Sequence, residues 1–133
     1  MCGIVGYIGH KDAMEILLSG LEKLEYRGYD SAGIAWAKNG KLCVQKRQGK
    51  LNNLKNILAQ EKNDSIHAGI GHTRWATHGK PSDENAHPHL SANGKFALVH
   101  NGIIENYVQL KETYLQDVVF SSETDSEVVV HLL

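Results

Sequence analysis

The residues with the most chemical potential are a cysteine directly behind the initiator methionine and four polar groups far downstream. Once Met1 is removed, Cys2 carries a thiol and a free α-amine on one residue. An α-amine titrates at about 7.7–8.0 in unstructured peptides, so it can serve as a general base near neutral pH. A thiol with a base on its own nitrogen is an activated nucleophile that needs no histidine. Attack on an acyl carbon also needs an oxyanion hole and a substrate anchor. Asn101 followed by Gly102, directly after an apolar run, offers a side-chain amide and a backbone N–H for the oxyanion. Arg74 offers a bidentate grip on a carboxylate, and Asp125 offers an acceptor for an ammonium.

Each of these residues also has a plainer reading. Cys2 can stand second by coincidence, and Asn-Gly is a common turn. A single arginine is commonly a solvated surface charge. Asp125 is accounted for as an acid at a helix start, favoured by the dipole. Trp36 reads as core, whereas Trp75 lies in a polar loop, where an indole tends to bind or gate something. Cys43 sits in an amphipathic strand and reads as structural. His67, His72, His78, His87, His89 and His100 raise the question of a metal. None has i, i+4 pairing, and no cysteine or acid has ligand spacing to them, so polar histidines near a site are expected instead. Only His87-Pro88-His89 would set two imidazoles on one side of an extended segment.

The elements that must carry these groups follow from periodicity. Ile4 to Ile8 reads as a short buried strand. Asp12 with Glu15 suggests a capping box, and Ile16, Leu17, Leu21 and Leu24 give residues 12–25 one apolar helical face. Tyr26 to Gly33 is a loop rich in glycine and small polar groups. Asn39-Gly40 between two apolar runs is a hairpin signal. Leu51, Leu54, Ile57 and Leu58 mark a second helix, and residues 62–65 a polar turn. Ala68 to His72 is a strand rich in small residues. Residues 73–89 have no periodicity, which in a compact domain points to function. Phe96 to Val99 reads as a buried strand, residues 105–115 as a helix, residues 118–120 as a strand, and Thr124 to Glu127 as a capping box opening a last helix. The apolar run from Val128 to Leu133 has no stop signal, so the chain is expected to be cut inside an element. Helices mixed with strands, without regular βαβ spacing, suggest an α/β domain with antiparallel sheet.

Composition excludes several classes. The 133 residues are 41% hydrophobic and 22% charged with a net charge of −1. That length suits one domain, and no basic excess marks nucleic acid or an anionic membrane as a partner. No apolar run approaches a membrane span, and no signal peptide is visible. Two cysteines make no disulfide framework and fit a reducing, cytoplasmic setting.

Five motifs in order then carry a resemblance. They are Cys2-Gly3-Ile4-Val5-Gly6, Tyr26-Arg27-Gly28-Tyr29-Asp30-Ser31-Ala32-Gly33, His72-Thr73-Arg74-Trp75-Ala76-Thr77-His78-Gly79, His100-Asn101-Gly102-Ile103-Ile104-Glu105-Asn106 and Glu123-Thr124-Asp125. Together they resemble the class II glutamine amidotransferases, and Tyr29, Trp75 and His78 favour the amino-sugar branch over the purine branch. The resemblance implies an N-terminal-nucleophile hydrolase fold, a four-layer αββα sandwich with antiparallel sheets, here as the N-terminal part of a glutaminase domain. It implies that Cys2 attacks the amide of glutamine, that its α-amine shuttles the proton, and that a γ-glutamyl thioester forms and is hydrolysed. By the same resemblance Asn101 and Gly102 form the oxyanion hole, Arg74 binds the α-carboxylate and Asp125 the α-ammonium. Thr77 and His78 lie in a closing loop, Trp75 gates the ammonia, and Arg27 and Gly28 organise the surroundings of Cys2. No cofactor or metal is implied. Fructose 6-phosphate would be met only by further domains, in a parent that is a homo-oligomer. A truncated module that binds glutamine without turnover is the alternative from another class.

Overall fold

The computed structural model describes residues 1–61 and 65–133; most of the polar turn expected at 62–65 lies outside the described residues. Its main sheet has four antiparallel strands: β1 (Gly3–Ile8), β2 (Ser31–Lys38), β3 (Lys41–Gln48) and β4 (Ala68–Arg74). They are ordered β1-β4-β2-β3. β2 and β3 form the expected hairpin, and Asn39 and Gly40 take positive φ angles of 51° and 74° as a tight two-residue turn requires.

Two helices cover one face. Helix α1 (Ala13–Leu24) is capped by Asp12, whose carboxylate accepts from the Met14 N–H. Helix α2 is Leu51–Leu58. Leu17 and Leu21 of α1 and Leu51, Leu54 and Leu58 of α2 meet Ile34 and Trp36 of β2 in the core. A core leucine of this kind contributes about 1.5–3 kcal/mol on burial. Because side chains alternate along a strand, Ile34 points to the helices while Gly33 points away. The glycine is required there, since an added Cβ would lie 2.1 Å from the His87 carbonyl oxygen.

The second face of the sheet carries residues 75–102, which include a small antiparallel pair, β5 (His89–Leu90) with β6 (Ala97–Leu98). Behind them lie α3 (Tyr107–Tyr114) and α4 (Glu127–His131). The order is therefore helices, sheet, sheet, helices, as the resemblance implied. No helix among the described residues is long and apolar enough to cross a membrane.

Four local expectations need correction. β1 is an edge strand among the described residues, and Ile4 and Ile8 on its face away from α1 are exposed. Only Ala97 and Leu98 of the expected 96–99 strand are paired, and Phe96 is exposed. Residues 118–120 form no strand, since no neighbour among the described residues offers a ladder; Phe120 instead lies under the Lys111 ammonium, 4.1 Å from its ring centre. The last helix starts at Glu127 and has no side-chain cap.

Glu127 has a different job. Its buried carboxylate accepts from the N–H groups of Ser121 at 2.8 Å and Ser122 at 2.7 Å, and from both serine hydroxyls. His131 adds a fifth donor at 3.0 Å. The His131 Nδ1 accepts from the Ala92 N–H, so its Nε2 must be the protonated nitrogen. Burial alone would raise the Glu127 pKa, but the bonds from Ser122, Ser121 and His131 outweigh it and lower it to about 2. A folded pKa below the ordinary 4.5 contributes stability that is present above that pH and is lost as the pH falls towards 2. Glu127→Ala is expected to destabilise the fold by about 2–4 kcal/mol, because it leaves without an acceptor the five part-buried donors that converge on the carboxylate. Thermal denaturation at pH 7 measures it, and the gap to the wild type should narrow below pH 4.

Candidate active site

The strongest polar groups gather where β1 begins and β4 ends. β1 and β4 are antiparallel neighbours, with Gly3 opposite Thr73. That register sets Cys2 beside Arg74 and Trp75. The Cys2 Sγ accepts from the Trp75 N–H at 3.2 Å. Thr73 fixes the register further, its hydroxyl accepting from the Gly3 N–H at 3.1 Å. The ammonium of Met1 is held by the carbonyls of Arg27 and Gly28, at 3.2 and 3.3 Å. These two residues thus touch the start of the chain through their backbone, while the Arg27 side chain is 6.0 Å from the Tyr26 ring centre.

Cys2 opens into a cleft of about 600 Å³. Arg74, Trp75, Thr77, Asn101, Gly102 and Asp125 line it. His78 is not on that lining; its ring packs edge-on against Tyr107, with centroids 5.6 Å apart. Trp75 is 55% exposed at the mouth, whereas Trp36 is core as expected.

Asn101 bridges two partners. Its Nδ2 donates to the Cys2 carbonyl at 3.2 Å, and its Oδ1 faces the His72 Nε2 at 2.7 Å. Gly102 takes a φ of +145°, and a Cβ there would come within 3.0 Å of the His100 ring. A side chain at 102 would therefore be strained in its backbone and crowded by that ring.

Arg74 is not a solvated surface charge. It is 4% exposed, and its terminal nitrogens donate to the carbonyls of His78, Gly79 and Lys80. Burial draws its pKa down, against the opposing pull of Asp30, Cys2 and Asp125, each of which favours the charged form. The guanidinium thus already organises the loop that follows it. Asp125 is buried as well, and it accepts from the Ile104 N–H at 2.6 Å rather than capping its own helix. That bond ties the 124–127 segment to the turn after Asn101.

Three supporting residues were given no individual role by the sequence, His72 being expected only as one of several polar histidines near a site. Asp30 accepts from the Ala76 N–H at 2.6 Å, and its own N–H donates to the Arg74 carbonyl at 2.7 Å, so it shapes the turn under Trp75. Asn85 ties Lys80 to Glu123. His72 holds Asn101. The available signal was weak: Asp30 lies just before β2, His72 within β4 and Asn85 in the aperiodic stretch, which says that a polar group is there but not what it touches. The histidines stack: His87 lies 4.4 Å from His72 and 4.5 Å from His89, ring centre to ring centre. His87 and His89 are adjacent, as the tripeptide suggested, but their rings meet edge to face. Burial holds the pKa of His72 down to about 4 and that of His89 to about 3, so both are neutral.

The glutamine amidotransferase domain family matches residues 53–133. This chain belongs to that family. The chain is 64% identical over its whole length to glutamine–fructose-6-phosphate aminotransferase (isomerizing) of Bacillus subtilis strain 168, and covers 22% of that protein. The corresponding proteins of Geobacillus kaustophilus and Symbiobacterium thermophilum are 60% and 57% identical, again over all of this chain and 22% of theirs. The chain thus spans about a fifth of the length of these relatives. Among solved structures, glutamine phosphoribosylpyrophosphate amidotransferase from B. subtilis, complexed with ADP and GMP, superposes with a TM-score of 0.77 at 35% identity, over 99% of this chain and 29% of that one. The allosteric regulatory enzyme of purine biosynthesis gives 0.79 at 33%, with the same coverage. These likenesses, with the antiparallel sheets described above, make the fold of this chain that of the N-terminal-nucleophile hydrolases.

Proposed function

We propose that residues 1–133 are the N-terminal part of a glutaminase domain. In the whole protein it would supply ammonia from glutamine to fructose 6-phosphate. One observation carries the reading: the Cys2 thiol, the Asn101 amide, the Gly102 backbone and the Arg74 and Asp125 charges share a single cleft. The identities of 57–64% to the sugar aminotransferases, against 33–35% to the purine enzymes, support the acceptor. A cytoplasmic setting and a homo-oligomeric parent belong to the same reading.

The chemistry is acyl transfer. Met1 is removed, and the freed α-amine of Cys2 takes the proton of its thiol. The sulfur then bonds to the amide carbon of glutamine, and the carbonyl electron pair moves onto oxygen. The Asn101 carboxamide has two N–H groups; one lies on the Cys2 carbonyl, and the other, with the Gly102 N–H, receives the oxyanion. The C–N bond breaks as the α-amine passes its proton to nitrogen, and ammonia leaves. Water hydrolyses the γ-glutamyl thioester by the reverse proton path. The carboxylate of glutamine would share the Arg74 guanidinium with the carbonyls of residues 78–80, which couples substrate to the loop carrying Thr77 and His78. Asp125 would accept the ammonium, and Trp75 would control the exit of ammonia.

A glutamine analogue with an electrophilic carbon at the amide position tests the reading. It is expected to add once to the full-length protein, on a peptide that begins at Cys2, and glutamine should protect against it. Labelling of Cys43 instead, or no labelling, overturns the assignment of the nucleophile.

A further inference from the structure

His72 has no role in the chemistry above, yet it is a fully buried imidazole in the middle of a strand junction. It pairs across β4 with Gly33 on one side and Ile4 on the other, and its side chain leaves the sheet on the face opposite α1. There the His87 ring lies against it, nearly parallel at 21°. Its Nε2 is 2.7 Å from the Asn101 Oδ1, and its Nδ1 is buried without a hydrogen-bond partner.

Those two atoms decide the proton. A carboxamide oxygen only accepts, so the His72 Nε2 donates and carries the hydrogen. The Nδ1 is then a buried lone pair with no donor on it. Leaving it unpartnered is unfavourable, and an apolar side chain of similar size would fill the space without that cost. The return for keeping an imidazole here lies in the bond to Asn101. Were the other tautomer present, the Asn101 amide would turn round to donate to Nε2. Its oxygen would then face the Cys2 carbonyl oxygen, and its N–H groups would leave the cleft.

We propose that His72 is a positioning residue that holds the Asn101 carboxamide with its N–H groups towards the cleft, so that the oxyanion donor is oriented before glutamine arrives. This rests on the reading of Asn101 as an oxyanion donor. Burial keeps the ring neutral, with a pKa of about 4, so the ring carries one proton across the working range and the bond to Asn101 places it on Nε2. The His87 stack prevents the ring from swinging, and His87 is itself pinned, its Nδ1 accepting from the His100 N–H at 3.3 Å. The donor orientation is thereby built from β4 through His72 to the loop after β6. An orienting bond of this kind matters because small misplacement of a reacting group costs up to about 10²-fold in rate.

The test uses the full-length protein with Met1 removed. Steady-state glutamine hydrolysis is compared for wild type, His72→Phe, His72→Gln, Asn101→Ala and the double variant His72→Phe with Asn101→Ala. His72→Phe is expected to lower kcat by about 10- to 10²-fold while KM stays within about twofold. His72→Gln keeps an N–H near the same point and should recover most of the loss. The double variant should be no slower than Asn101→Ala alone, because the two residues act as one unit. A wild-type rate in His72→Phe, or fully additive losses in the double variant, overturns the positioning role while leaving Asn101 in place. An unimpaired Asn101→Ala instead removes the oxyanion reading on which the role rests. Should the phenylalanine variant fail to fold, nitrogen-15 shifts of His72 in the wild-type protein decide the matter. Protonation at Nε2 is expected, and protonation at Nδ1 overturns the proposal.

Discussion

Cys2→Ala is expected to abolish glutamine hydrolysis, with a loss of at least about 10⁴-fold in kcat and little change in the affinity for glutamine. The size follows from the absence of a substitute in the right place. Cys43 packs against the core beneath α1 and α2, on the far side of the sheet from the cleft. The cleft does contain a second hydroxyl–imidazole pair, Ser126 and His100, with Oγ and Nδ1 3.0 Å apart. Ser126 is only 2% exposed, so its oxygen has no room to approach an amide carbon. Glutamate release measures the rate, and calorimetry of glutamine binding separates lost chemistry from lost binding. A Cys2→Ala protein within tenfold of the wild-type rate would transfer the nucleophile to that pair. Retained binding with no turnover is the expected outcome, because the thiol bonds to substrate only once reaction begins, while the clamps proposed for Arg74 and Asp125 would act on the ground state.

Asn101→Ala carries the second largest expected effect, a fall in kcat of about 10²–10³-fold with KM nearly unchanged. A donor aimed at the developing oxyanion acts more strongly on the transition state than on the neutral amide, which accounts for the split. Asn101→Asp has nearly the same shape but no N–H, and it places a second negative charge where one is developing. It should be at least as slow as the alanine variant. Equal rates for wild type and both variants would take Asn101 out of the mechanism, whatever its position in the cleft. Both variants leave His72 with a changed partner, so thermal stability should be followed alongside; a fall in Tm without a fall in kcat would make Asn101 structural only.

Much of the fold was legible because its signals are local. The 3.6-residue spacing of Leu17, Leu21 and Leu24 marks α1 regardless of what covers it, and Asp12 names its start. Asn39-Gly40 marks the hairpin because few other pairs accept two positive φ angles in succession. The misreadings share one cause. Phe96 to Val99 and residues 118–120 are as β-prone as any stretch in the chain, but a strand exists only where a neighbour completes its ladder. Among the described residues, Ala97 and Leu98 find a partner in the first stretch, and no residue finds one in the second. Likewise Thr124 to Glu127 has the pattern of a capping box, yet Glu127 folds back onto Ser121 and Ser122, which offer more donors than a helix start does.

The candidate site divides along the same line. The sequence by itself determined which reactive groups exist: a thiol that can own an α-amine before the first strand, an amide followed by glycine, a cation at a strand end and an acid ahead of the last helix. These are properties of residue type and of neighbours within a few positions. Only the tertiary structure decided what each group touches. Arg74 reads as an exposed charge until the loop of residues 78–80 closes over it. Asn101 reads as a turn until His72, 29 residues earlier, is found on its oxygen and Cys2, 99 residues earlier, on its nitrogen. The reason is physical. Burial and hydrogen-bond direction depend on atoms brought together by strand register across long loops, and no local pattern specifies that register. Cys2 reads as a nucleophile by sequence; its place beside the Asn101 amide follows from the pairing of β1 with β4.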